Sequence, residues 1–147
     1  GMAREVIAVS RKGWDDKGTV DDIQVVPYRH IYHPYDAALY LKSNGMSIVV
    51  IEKNDHSISM FDCGFATSNW RSAGFRLYPP KPAFVLGNEV YGVYPDFLEA
   101  ADLVVEIPMY GDIRSLNVSV AGAVVMYDYL GKSRDISRMK NIYGQNK

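Results

Sequence analysis

The stretch that decides the fold is residues 107–127, IPMYGDIRSLNVSVAGAVVMY. It opens at the end of an apolar run, Leu103-Val104-Val105-Glu106-Ile107, which reads as a buried strand. It turns through Pro108, Gly111 and Asp112 and is expected to enter a buried helix at Ser115. The Ser115 hydroxyl can accept one of the backbone N–H groups that the first turn of a helix leaves unpaired. Leu116, Val120, Val124 and Tyr127 recur at helical spacing, with Val118, Ala121 and Val125 on the adjoining stripe. Gly122 sits inside this helix, where it costs about 1 kcal/mol relative to Ala. With Ser119, Ala121 and Ala123 it forms a small-residue surface, so another element is expected to pack very close. A polar, glycine-containing turn between a buried strand and a tightly packed helix is a place for a ligand.

Working outward, further short apolar runs alternate with helical ones. Residues 4–10 (REVIAVS), 47–51 (SIVVI) and 83–86 (AFVL) predict strands. Residues 36–44 (DAALYLKSN) and 95–101 predict short helices, with Gly45 a fitting residue past the end of the first. Residues 23–26 are β-prone, residues 28–35 are rich in Tyr and His, and 58–61 follow a turn at Asn54-Asp55. Residues 63–82 read as irregular. Strands separated by helices, each a continuous apolar run, indicate an α/β fold whose mostly parallel sheet is flanked by helices on both faces. Residues 1–130 are read as one domain and residues 131–147 as a basic tail, with Lys132, Arg134, Arg138, Lys140 and Lys147 against Asp135.

Composition sets the bounds. The 147 residues suffice for one domain with a real core, and 48% hydrophobic against 22% charged is ordinary for a globular protein. A formal net charge of −1 does not mark a nucleic-acid binder through its whole-molecule field. The single cysteine, Cys63, excludes an internal disulfide and a cysteine-based zinc site and suits a reducing cytoplasm. It is expected to be a small buried filler. No apolar run has the ~18 residues of a membrane span. The histidines lack acidic neighbours at ligand spacing, so no metal is expected.

Two loops could carry chemistry. Leu86-Gly87-Asn88-Glu89-Val90-Tyr91-Gly92-Val93 leaves the C-terminal end of a strand, the edge where open parallel sheets hold ligands. Its glycines permit close backbone approach, and Glu89 places an acid between them. A plain β-turn with an exposed glutamate would show the same spacing. The second loop offers Asp112, Arg114, Ser115 and Asn117, which an ordinary helix cap would also explain.

The segment FVLGNEVYGV (84–93), followed by VVEIPMYGDIRSLNVSVAGAVVMYDYL (104–130), resembles the second and third motifs of the SpoU-type (TrmH-like) branch of the SPOUT RNA methyltransferases. The likeness consists of Gly-Asn-Glu-x-x-Gly after a strand, then Ile-Pro-Met-x-Gly, then Ser-Leu-Asn-Val-Ser. Residues 4–51 agree with the family only in outline.

The resemblance implies an α/β sheet with a C-terminal deep trefoil knot and a homodimer. It also implies S-adenosylmethionine bound in the bent loops of the knot, largely through main-chain groups. Leu86, Gly87, Ile107, Pro108, Met109, Ser115 and Leu116 would line the cofactor site. Glu52 would join them by position at the end of its strand. Glu89, Ser115 and Asn117 match the family's polar residues at the reacting ribose. The family's first strand and its Asn…Arg helix have no counterpart ahead of Arg4, and Arg114 belongs to the third motif.

RNA binding needs positive charge near phosphates and flat surfaces for unstacked bases. The acid-free segment with Trp70, Arg71, Phe75, Arg76 and Lys81 is the local candidate, a surface loop pinned by Trp70 being the plainer account. The resemblance thus implies an S-adenosylmethionine-dependent 2'-O-ribose methyltransferase of tRNA or rRNA. The rival is a knotted protein that binds the cofactor or RNA without methyl transfer, suggested by the unmatched arginine.

Overall fold

The computed structural model describes residues 4–10, 26–65, 77–88, 90–112 and 115–143. In chain order its elements are β1 (Val6–Val9), β2 (Tyr28–Ile31), α1 (Pro34–Ser43), β3 (Ser47–Ile51), β4 (Ile58–Ser59), a 3-10 turn (Met60–Asp62) and β5 (Gly64–Phe65). There follow β6 (Leu77–Tyr78), β7 (Pro82–Leu86), α2 (Pro95–Glu99), β8 (Leu103–Glu106) and α3 (Val118–Tyr143).

β3 is the centre of a four-stranded sheet in the order β4-β8-β3-β7, and every pairing in it is parallel. All five residues of β3 are buried, as expected of a strand covered on both faces. Alternation along the strand divides them. Val49 and Ile51 point into one core with Leu103, Val105, Met60, Cys63, Tyr78 and Val125 of α3. Ile48 and Val50 point into the other, with Ala37, Ala38 and Leu41 of α1 and Phe97 of α2. α3 therefore covers one face and α1 with α2 the other. The expected α/β sandwich is what the chain forms.

Local chemistry sets the element ends. Pro34 and Pro95 begin their helices at a position where the missing N–H is not needed. Gly45, at φ 68°, takes the left-handed conformation that ends α1 after Asn44. Asp102 accepts the Ile48 N–H at 2.8 Å, fixing β8 against β3.

Several expectations are corrected. The Tyr- and His-rich piece holds a strand, β2, which pairs in parallel with β1 over Val6–Val9; the β-prone residues 23–25 lie outside the described residues. The irregular segment contains a short parallel pair, β5 with β6. α3 begins at Val118, and its cap is Asn117, not Ser115. The Asn117 Oδ1 accepts the Ser119 N–H at 2.9 Å, while its carbonyl accepts the Ala121 N–H at 2.9 Å. An amide side chain one residue before the helix meets the unpaired N–H, which a serine three residues before it does not.

The helix also continues past Gly131 to Tyr143, so residues 131–143 extend α3. Lys132 anchors it at that point by donating to the Met60 carbonyl at 2.6 Å and to Asp128 at 2.7 Å. The buried stripe of α3 runs through Gly122 and Val125, whereas Val120 and Tyr127 are 47% and 76% exposed.

Candidate functional site

Three strand ends of the four-stranded sheet open onto one crevice of about 280 Å³. β3 contributes Ile51, Glu52 and Lys53; β7 contributes Leu86, Gly87, Asn88 and Gly92; β8 contributes Glu106, Ile107 and Met109. The fourth wall is Ser115, Leu116, Val118 and Ala121, the approach to α3 and its first turn. This is the carboxyl edge of a parallel sheet, where side chains of neighbouring loops converge.

The loop after β7 is closed on itself. Asn88 and Gly92 exchange two backbone hydrogen bonds of 2.9 Å each, and the Asn88 Oδ1 accepts the N–H groups of Val90 at 2.8 Å and Tyr91 at 3.3 Å. Gly92 holds φ at 69°, which a side chain would resist. Gly87 is required for a different reason: a Cβ there would stand 2.5 Å from the Gly92 carbonyl carbon and 2.7 Å from the Val93 nitrogen. The loop folds back on its own entry, and only a bare α-carbon fits.

Glu52 closes the floor. Its Oε1 accepts the Lys53 N–H at 3.0 Å, and its Oε2 lies 2.9 Å from where a Gly92 Cβ would stand. Glu106 on the opposite wall takes a 2.8 Å hydrogen bond from the Ser57 hydroxyl. Among the described residues that line the crevice, two carboxylates stand against one ammonium, Lys53.

The loop after β8 is different. Among the described residues, the main chain of 108–112 makes no hydrogen bond to another main-chain group. Gly111, at φ 96°, turns the chain out of this loop. The tight packing expected beside Gly122 is found: a Cβ on it would meet the Leu86 Cδ1 at 3.0 Å, so α3 lies directly on the end of β7.

The structure therefore brings together Glu52, Leu86, Gly87, Ile107, Met109, Ser115 and Leu116 around one space. Pro108 sits between two lining residues without lining the space itself. Asn117 is engaged in capping α3, through Ser119. Lys81 is exposed at the start of β7, at the other end of that strand from the crevice. Glu89, Arg71, Arg76, Trp70 and Arg114 lie outside the described residues. Sequence reasoning named Asn88 only as part of its loop and did not single out Lys53 or Glu106, which sit too close to the ends of apolar strands to stand out.

The sequence model of the SpoU rRNA Methylase family matches residues 3–127. The chain belongs to that family. A similar SpoU-type relative is the "tRNA (guanosine(18)-2'-O)-methyltransferase" of Borreliella burgdorferi, 40% identical over 97 residues, which cover 66% of this chain and 38% of the relative. The chain spans about two fifths of the length of such curated relatives. Among solved structures, the A. aeolicus TrmH/SpoU tRNA modifying enzyme superposes with a TM-score of 0.68 at 23% identity, over 90% of this chain and 63% of that one. The SpoU methyltransferase AviRb of Streptomyces viridochromogenes, in complex with AdoMet, gives 0.66 at 17% identity, over 89% and 48%. At these identities the two superpositions establish the SpoU fold.

Proposed function

We propose that this chain is the cofactor-binding part of an S-adenosylmethionine-dependent 2'-O-ribose methyltransferase acting on tRNA or rRNA in the cytoplasm. The observation that carries the reading is the convergence of the Gly87 and Ile107 bends on one crevice beneath α3. The crevice suits the donor. Its volume of about 280 Å³ stands near the lower end of the ~300–1,000 Å³ of ligand sites. Gly87 supplies a wall without a side chain, and the two carboxylates among the described lining residues suit a molecule of net positive charge.

S-adenosylmethionine supplies an already activated sulfonium methyl group. Leu86, Gly87, Ile107, Met109 and Leu116 would hold it by shape and main-chain polar groups, with Pro108 setting the bend between Ile107 and Met109, and the Glu52 carboxylate would accept from its hydroxyls. Glu89 and Ser115 are assigned to the acceptor ribose, and Asn117 serves the site by fixing the start of α3. The protein's task is to hold a 2'-hydroxyl in line with the methyl–sulfur bond. Positioning of that kind is worth roughly 7 kcal/mol or more at best. Proton removal from so weak an acid needs a positioned polar group as well.

Three finer points belong to the same reading. The chain after β8 threads through a trefoil knot, which accounts for α3 lying on the end of β7. The protein is a homodimer through the outer face of α3, where Val120 and Tyr127 are exposed. Arg71, Arg76 and Lys81 meet RNA phosphates. The test is transfer of a labelled methyl group from S-adenosylmethionine to bulk RNA, followed by nucleoside analysis. The reading expects label in a 2'-O-methylnucleoside; label confined to bases, or none with the donor bound, contradicts it.

A further inference from the structure

Two tyrosines stand almost wholly in solvent on the two loops that form the crevice. Tyr91 is 88% exposed and Tyr110 is 84% exposed. Each is the direct neighbour of a lining residue, Gly92 and Met109 respectively. Neither contributes to the hydrophobic cores. Other rings of this chain are exposed too, Tyr35 at 66% and Tyr127 at 76%; what sets Tyr91 and Tyr110 apart is their place beside the crevice.

Both are presented by shaped backbone. Tyr91 has its N–H held by the Asn88 Oδ1 at 3.3 Å, inside a loop closed by the paired Asn88 and Gly92 hydrogen bonds. Tyr110 directly precedes Gly111, whose φ of 96° sets the turn. A tyrosine has only two side-chain torsions, so its ring loses little freedom when it is covered. The loops also stand on either side of β3, since β7 and β8 are its two neighbours. Two strand spacings of ~4.8 Å separate their bases by about 10 Å.

We infer that Tyr91 and Tyr110 form a stacking rim that takes the base of the nucleotide whose ribose is to be methylated, at the mouth of the crevice. This rests on the reading of the crevice as a methyl-donor site and adds how the acceptor is held. A methyl acceptor must come to rest above the donor, and these rings are what the two loops offer there. Stacking is tolerant of base identity, so the rim orients a single-stranded or splayed nucleotide and leaves the choice of nucleotide to other contacts.

The experiment measures binding of a labelled single-stranded RNA of about twelve nucleotides by fluorescence anisotropy, with S-adenosylhomocysteine saturating. It compares the full chain with Y91A, Y110A, Y91F and Y110F. Calorimetry of each protein with S-adenosylhomocysteine alone runs alongside, as does its sedimentation. The inference expects each alanine to weaken RNA binding by about 5-fold or more. It expects each phenylalanine to restore binding to within about twofold, since the ring face and not the hydroxyl is used. Affinity for S-adenosylhomocysteine and sedimentation stay at the values of the parent chain.

Alanine variants that bind RNA like the parent overturn the inference, and so do phenylalanine variants as weak as the alanines. A change in sedimentation assigns the rings to contact between two copies and also overturns it. Failure of the parent chain to bind S-adenosylhomocysteine is a separate result and removes the methyl-donor reading itself.

Discussion

At Gly87 a methyl group would sit 2.5 Å from the backbone of Gly92, and at Gly45 it would meet nothing within 4 Å. The pair separates two reasons for a glycine. Gly45→Ala has only its φ of 68° to resist it and is expected to cost about 1–2 kcal/mol. Gly87→Ala must open the loop after β7. It is expected to cost about 1–3 kcal/mol and to abolish cofactor binding, which Gly45→Ala retains. Urea unfolding and calorimetry read the two effects.

Cys63 gives a prediction of another kind. Burial pushes its thiol up from 9.0 to about 11, with Lys132 opposing and Asp128 adding to the shift. The folded state thus holds this proton more firmly than the unfolded chain does. The associated stability is whole below pH 9 and is lost as pH rises toward about 11. Alkylation of the native protein at neutral pH is expected to be far slower than of the protein in urea, and Cys63→Ala should flatten the alkaline loss of stability. Equal alkylation rates in the two states would show that the thiol is accessible.

Much of the site was legible at this scale, because Gly-Asn-Glu-x-x-Gly and Ile-Pro-Met-x-Gly are main-chain shapes written in residue types. Asn117 shows the limit. An asparagine two residues past Ser115 could face a ligand or cap a helix, and spacing does not distinguish an Oδ1 aimed at Ser119 from one aimed into the crevice.

At the scale of elements, α3 is the instructive case. Its apolar residues run nearly all the way round, so periodicity marks two stripes and cannot say which one faces the protein's own core. The sequence offered a stripe through Leu116, Val120, Val124 and Tyr127 and an adjoining one through Val118, Ala121 and Val125. The structure buries Gly122 and Val125, beside the half-buried Val118, Ala121 and Tyr129. The small residues were the better signal, because they let α3 rest directly on Leu86.

The two stripes should respond differently to substitution. Val125 is fully buried, and Val125→Ala is expected to cost about 2 kcal/mol of folding free energy. Tyr127→Glu should leave folding nearly unchanged and convert a dimer to a monomer. Denaturant unfolding and sedimentation measure the two. A Tyr127→Glu protein that still sediments as a dimer would place the interface elsewhere.

Across the whole molecule, the sheet order β4-β8-β3-β7 is what makes a site out of separate loops. β3 supplies the buried centre and Glu52, while its neighbours β7 and β8 carry the two bends to either side. The sequence showed the alternation of strands and helices that leads to a parallel sheet. It could not show β2, whose Tyr-Arg-His-Ile lacks an apolar run and becomes a strand by pairing with β1. Nor did it mark residues 131–143 as helical; Lys132, near their start, reaches back to the Met60 carbonyl, 72 residues away.

The most direct measurement is isothermal titration calorimetry of S-adenosylhomocysteine into the parent chain and into Gly87→Ala, with far-ultraviolet circular dichroism confirming that both are folded. Two bends joined in one donor-binding crevice predict a saturable isotherm for the parent chain that disappears in Gly87→Ala. A folded parent chain that gives no heat at millimolar ligand, or a Gly87→Ala protein that binds as the parent does, contradicts the account.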